Sequence, residues 1–168
     1  MFRIGGNRLD KKSFLKLIDE RKEVLYKTAY IYVKNQQDAV DIVDETIYKA
    51  YSSINKIREE KYFNTYITRI LINSSIDFIR KNKKIVYVEE IAAEDRTKEL
   101  KEEKMDLFTA IDKLPAMEKT IIILKYFQDL KIKEISEVLN QSESNVKNYL
   151  HKALTNLRCD LKEEYCNE

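Results

Sequence analysis

Residues 131–158, KIKEISEVLNQSESNVKNYLHKALTNLR, leave the chain few ways to fold. The stretch reads as a short helix, a tight polar turn and a longer helix. In the longer part Val146, Leu150, Ala153, Leu154, Leu157 and then Leu161 recur at helical steps, which makes one apolar stripe. Lys147, His151, Thr155 and Arg158 make the opposite stripe. Asn140 tolerates a left-handed backbone, and the Ser142 hydroxyl can cap the amides of the helix that follows. The pattern predicts a helix-turn-helix. Such a unit lays its second helix in the DNA major groove, with N-terminal residues against bases and phosphates. Here those residues are Ser144, Asn145, Lys147 and Asn148. An ordinary hairpin in a helical core has the same pattern, so the remainder of the chain must discriminate.

Two glycines and one proline among 168 residues point to an all-α protein with short connections, built as one domain or two small ones. No apolar run follows the opening MFRIGGNRLDKK and no segment approaches the length of a membrane span, so a soluble cytoplasmic protein is expected. Cys159 and Cys166 are the only cysteines and His151 the only histidine, which offers neither a disulfide framework nor a zinc site of usual spacing. There is no Gly-rich phosphate loop, HExxH or G-x-S-x-G. No enzyme, cofactor, metal or small-molecule substrate is expected. The formal net charge of +2 does not argue for nucleic acid, but its distribution does.

Residues 9–33 carry Phe14, Leu17, Ile18, Val24, Leu25, Thr28, Ile31 and Tyr32 at helical spacing, predicting one long or briefly broken helix. After Asn35-Gln36-Gln37, Asp38 can cap or charge-stabilise a second helix over residues 37–53. That helix is expected to bury Val40, Val43, Ile47, Ala50, Tyr51 and Ile54. Its other face carries Asp41, Asp44, Glu45 and Tyr48, with no basic residue between Asp38 and Tyr48. An acidic face of this kind can meet a basic protein partner; acids near a helix N-terminus also simply favour its dipole. A third helix over residues 62–84 turns Phe63, Tyr66, Ile67, Ile70, Leu71, Ser74 and Phe78 inward and Arg69, Asn73, Asp77 and Arg80 outward. From Lys61 to Lys84, six basic residues against one acidic give a net of +5, a basic patch that the whole-chain charge conceals. Tyr62, Phe63 and Tyr66 beside it are either core residues or a stacking platform, and stacking plus a cationic track is what unpaired DNA requires.

Residues 85–106 change character, with eight acids against four bases and few apolar residues, and read as a flexible or weakly helical linker between two helical domains. IVYVEEI alternates like a strand but has no partner strand nearby. The second domain then starts near Met105. Its first helix ends near Lys113, Pro115 opens the next at an acceptable first-turn position, and Met117, Ile121, Leu124 and Phe127 form that helix's stripe.

Taken together, these segments resemble a bacterial RNA polymerase sigma factor of the extracytoplasmic-function (ECF) type, over approximately residues 25–84 and 114–161. DAVDIVDETIYKAY (38–51) resembles the family helix that docks on the polymerase clamp, FNTYITRILINSSIDFIRK (63–81) its promoter −10 helix, and residues 114–154 its −35 reader. The resemblance implies two helical domains, 1–84 of region 2 type and 106–168 of region 4 type, joined by the acidic linker 85–105. It implies an alternative sigma factor that binds core RNA polymerase and directs promoter-specific initiation; a stand-alone helix-turn-helix transcriptional regulator is the alternative.

By resemblance, Asp41, Asp44, Glu45 and Tyr48 would bind polymerase. Tyr62, Asn64, Arg69, Asn73, Arg80, Lys81, Lys83 and Lys84 would bind the −10 element, with the connection 55–62 capturing an extruded base. Lys131, Ser144, Asn145, Lys147, Asn148, His151 and Lys152 would bind −35 duplex. An anti-sigma protein that holds the factor inactive is also implied by resemblance alone. Departures are Asp44, Tyr66 and Ile72, where the family more often has glutamine, tryptophan and a basic residue. Ser136 and Asn140 likewise replace alanine and glycine.

Overall fold

In the computed structural model of the chain, which describes residues 9–57, 59–85 and 102–165, Asp10 opens the first helix. Its carboxylate accepts the Ser13 N–H at 2.7 Å, and that backbone bond holds the Asp10 carboxyl below its ordinary pKa. Helix α1 (Lys11–Val33) then runs unbroken. Lys34 ends it in the left-handed region, φ 56°, donating its N–H to the Tyr30 carbonyl. The cap of α2 (Gln36–Ser52) is Asn35, whose side chain accepts the Asp38 N–H at 3.0 Å. Asp38 therefore sits in the first turn as a dipole-favouring charge and is not the cap itself. Two short 3-10 turns, Ile54–Lys56 and Glu60–Tyr62, lead to α3 (Phe63–Ile85).

The chain divides into two compact units, Met1–Lys84 and Ile85–Glu168. The core of the first joins Phe14, Ile18, Leu25 and Ala29 of α1, Ala39, Ile42, Val43 and Ala50 of α2, and Phe63, Ile67 and Leu71 of α3. Phe14 meets the rings of Phe63 and Tyr51 edge-on, at 5.6 and 5.5 Å between centroids. The inward face of α2 differs from the sequence expectation. Ala39, Ile42, Val43, Thr46 and Ala50 are buried, whereas Val40 and Tyr51 remain 41% and 42% exposed. Thr46 can turn inward because its hydroxyl donates to the Ile42 carbonyl at 2.7 Å, so no polar group is left unpaired. Ser75 makes the same bond to Leu71 in α3. Ile72 is also buried, so its side chain belongs to the core.

In the second unit α7 (Glu143–Tyr165) packs against α4 (Glu102–Lys113), α5 (Ala116–Ile122) and α6 (Ile132–Leu139). Ala110, Ile111, Leu114, Ile122, Ala153 and Leu157 share a core cluster. Pro115 is the N-cap of α5 in extended conformation, one residue before the first turn. A π-helical turn, Ile123–Phe127, extends α5 and closes with the Gln128 N–H on the Ile123 carbonyl at 3.2 Å. The turn between α6 and α7 has the local geometry that its residues suggest. Asn140 is left-handed at φ 52°, ψ 46°, and Ser142 Oγ accepts the Asn145 N–H at 3.1 Å. Leu154 departs from the expected apolar stripe, since it is 38% exposed.

Both units are helical and the described residues contain no strand. Helix α4 begins inside the stretch read as linker, and most of that stretch, with the IVYVEEI alternation, lies outside the described residues.

Candidate nucleic-acid interface

On α2 the side chains of Asp41, Asp44, Glu45 and Tyr48 share one exposed face, opposite the Ala39, Thr46 and Ala50 seam. Tyr48 is 72% exposed, a large apolar ring set among carboxylates. The charge of this face is less uniform than a reading of residues 38–48 suggests. Lys49 Nζ lies 2.8 Å from Glu45 and also donates to Ser74 Oγ of α3 at 3.0 Å, while Gln37 donates to Asp41 at 3.1 Å. Val40 and Tyr51 flank the acids, and Leu15 of α1 is a further exposed apolar residue. Leu15, Tyr48, Tyr51 and Asp44 line one shallow depression. Sequence periodicity missed this apolar flank because it assigned Val40 and Tyr51 to the core.

The connection after α2 builds a cleft of about 330 Å³ lined by Lys56, Ile57, Glu59, Tyr62 and Tyr66. Ile57 is buried and Tyr62 about half exposed, so the cleft has an apolar floor and an aromatic lip. Lys61 pairs with Glu59 at 2.8 Å and places its ammonium 4.9 Å from the centroid of the Tyr62 ring. The hydrogen bond to Glu59 is the main reason the Lys61 pKa is raised. Tyr66 Oη donates to Ser53 Oγ at 2.6 Å, tying this wall to the end of α2. Of the three aromatics in question, Phe63 is wholly core, whereas Tyr62 and Tyr66 face the cleft. Lys56, Ile57 and Glu59 lie in the connection 55–62 that the family resemblance points to, but none of the three is singled out by the sequence. Their positions depend on two irregular turns that carry no periodic signal.

Arg69, Asn73 and Arg80 continue from Tyr62 along one exposed stripe of α3. Asp77 lies in the same stripe, 3.7 Å from Arg80, and offsets part of its charge. Two expected partners fall elsewhere: Asn64 is half-buried and roughly 140° around the helix from Arg69, and Lys81 is exposed but roughly 120° away. Lys83 and Lys84 are in the last turn of α3, with side chains outside the described residues.

In the second unit Ser144, Lys147, Asn148 and His151 share one exposed face of α7, and Asn145 and Lys152 sit at its edge. The Asn145 side chain donates to Gln141 Oε1 at 3.3 Å, and the Lys152 ammonium lies 6.0 Å from the Tyr149 ring centroid. Lys131 is exposed on a different element, at the N-terminus of α6, where its N–H is accepted by Glu134 at 2.7 Å. Asn156 of α7 donates to the buried Glu118 of α5 at 2.9 Å, which gives that carboxylate a hydrogen-bond partner.

Comparison with known proteins gives this arrangement a family. The profile for Sigma-70 region 2 matches residues 17–85, and that for Sigma-70, region 4 matches residues 104–157. The chain is 41% identical over 149 residues to RNA polymerase sigma factor SigV of Bacillus subtilis (strain 168), covering 88% of this chain and 90% of that one. It is 30% identical over 171 residues to ECF RNA polymerase sigma factor SigW of the same organism, covering 92% and 91%. The chain belongs to the ECF class of sigma-70 RNA polymerase sigma factors. As such it binds core RNA polymerase and directs promoter-specific initiation of transcription.

Its fold is shared by sigma factor RpoE of Bartonella quintana, solved in complex with the anti-sigma factor NepR, at a TM-score of 0.74 and 20% identity over 90% of this chain and 98% of that one. CnrH, solved with the cytosolic domain of CnrY, gives 0.71 and 18% over 92% and 90%.

Proposed function

We propose that the work of initiation is divided among three surfaces of this chain. The exposed face of α2, with Asp41, Asp44, Glu45 and Tyr48, docks on a basic surface of core RNA polymerase. The cleft and the α3 stripe hold the unpaired −10 element through Tyr62, Asn64, Arg69, Asn73, Arg80, Lys81, Lys83 and Lys84. Lys131 and the first turns of α7, through Ser144, Asn145, Lys147, Asn148, His151 and Lys152, read −35 duplex. In this reading residues 1–84 and 106–168 are the two working domains and 85–105 the linker that lets them span both elements.

The observation that carries this reading is the aromatic-lipped cleft opening beside an exposed Arg69, Asn73 and Arg80 stripe. A base in duplex is stacked, and its Watson–Crick edge is paired; only an unpaired strand can place a base in such a cleft while its backbone follows a cationic track. A stand-alone helix-turn-helix regulator leaves that cleft and the acidic face without a task.

The chain contributes binding energy and no catalytic step; bond formation belongs to the polymerase. Among the described residues no helix is long and apolar enough to cross a membrane, and we assign the protein to the cytoplasm, where its polymerase works. Because RpoE and CnrH were solved with NepR and CnrY, we extend to this chain an anti-sigma protein as a partner.

Two variants test the division. Lys147→Ala is expected to weaken binding of the holoenzyme to −35 duplex and to lower the salt slope by about one unit, the signature of one lost phosphate contact. Arg69→Ala is expected to weaken binding to single-stranded −10 oligonucleotide, with a slope smaller by about 0.7. Each should leave the other ligand unaffected. Competition titrations at several salt concentrations read both, and a variant that acts mainly on the other ligand would overturn the assignment.

A further inference from the structure

Lys49 is the only basic residue of α2, and it stands one helical turn after Glu45 in the row Asp41, Glu45, Lys49. All three are exposed. The ammonium is fixed from two sides: Nζ lies 2.8 Å from Glu45 Oε1 and donates to Ser74 Oγ of α3 at 3.0 Å. Ser74 is buried, so its oxygen is an anchor that water reaches poorly. A lysine held only by a surface carboxylate swings away at little cost. One that also satisfies a buried hydroxyl on a neighbouring helix leaves that oxygen unpaired when it moves. The acids of this face are therefore unequal. Asp41 receives the Gln37 amide at 3.1 Å, a neutral donor that leaves its charge in place, whereas Glu45 is offset by a cation that belongs to the chain itself.

We propose that Lys49 is a built-in counter-ion that lowers the affinity of the α2 face for core RNA polymerase and shortens the life of the complex. The proposal rests on the reading that this face docks on polymerase. A basic partner surface that approaches Glu45 must take the carboxylate from Lys49 and also meets the charge of the ammonium, so contact at Glu45 returns less than contact at Asp41 or Asp44. Ser74 is a positioning residue: it keeps the ammonium beside Glu45 as the partner arrives. The chain is thus released from polymerase more readily than the number of its exposed acids alone implies, and the restraint comes from α3, not from the docking helix.

The test titrates labelled core RNA polymerase with the full chain and reads affinity and dissociation rate, with circular dichroism as the control for folding. Lys49→Met is expected to bind about threefold more tightly, mostly through slower dissociation. Lys49→Arg keeps the charge and is expected to bind like the parent. Ser74→Ala keeps the charge but frees it from α3, and is expected to show part of the gain. In a Glu45→Gln background, Lys49→Met should gain clearly less, because no carboxylate is left to release. Unchanged or weaker binding of Lys49→Met would overturn the proposal. So would Lys49→Arg tightening as much as Lys49→Met, or an equal gain with Glu45→Gln in place. Conversion of Asp41 and Asp44 together to lysine, measured in parallel, separates the two readings. If that reversal leaves the affinity unchanged, the docking face itself is wrong and the counter-ion falls with it; if it weakens binding while Lys49→Met changes nothing, only the counter-ion fails.

Discussion

Converting Asp41 and Asp44 together to lysine is expected to weaken the binding of the chain to core RNA polymerase about 100-fold, because each reversal sets like charges against a basic partner at a cost of the order of a kcal/mol or more. Both carboxylates are exposed on the face that carries Tyr48. Reversal at Glu45 alone is expected to do less, under about tenfold, since Lys49 at 2.8 Å already offsets part of its charge. None of the three side chains is buried, so thermal unfolding should shift by no more than about 0.5 kcal/mol. Fluorescence titration of labelled core with each variant measures the affinity, and circular dichroism the fold. An affinity unchanged by the double reversal would remove this face from the polymerase interface.

The second large effect lies in the core. Phe63 begins α3, is fully buried and meets Phe14 edge-on at 5.6 Å, and so links α3 to α1. Truncation in Phe63→Ala removes most of a ring from a packed site and is expected to cost about 3–5 kcal/mol. A domain of this size holds on the order of 5–15 kcal/mol in total. The first unit should therefore unfold at markedly lower urea, and polymerase binding should weaken in proportion to the fraction unfolded. Phe63→Leu, which keeps most of the apolar volume, is expected to lose clearly less. Urea titration followed by far-ultraviolet circular dichroism distinguishes them, and a loss below about 1 kcal/mol for Phe63→Ala would mean that the site collapses around the gap.

Much of this architecture is legible in the residues, for local reasons. Asn140 and Ser142 mark the helix-turn-helix because a left-handed residue and a hydroxyl cap act on their immediate neighbours. The long amphipathic stripes of α1 and α3 are equally direct. The inward face of α2 was harder to place, because Ala39 and Thr46 carry little apolar weight and the Thr46 hydroxyl is satisfied within its own helix. A hydropathy pattern therefore favours Val40 and Tyr51, which the structure leaves half outside. In α7 Leu154 has the right spacing but stands at the margin of the stripe and stays partly exposed.

Legibility is lower at the candidate sites. The acidic residues of α2 are visible in the chain, while the Glu45–Lys49–Ser74 connection needs two helices to be brought together. The cleft depends on Lys56, Ile57 and Glu59, placed by two 3-10 turns and by the Ser53–Tyr66 bond. No spacing rule announces residues in such turns. The basic character of α3 is visible as a count, but its distribution around the helix separates Lys81 and Asn64 from the Arg69, Asn73 and Arg80 stripe.

The central claim is that this chain confers promoter specificity on core RNA polymerase. Run-off transcription tests it most directly, with purified core, the full chain and templates that include the DNA upstream of its own coding sequence. The account predicts a transcript that requires the chain, starts at a defined position downstream of paired −35 and −10 elements, and disappears with Asp41 and Asp44 both converted to lysine. Core polymerase giving the same products with and without the chain on every such template would contradict it.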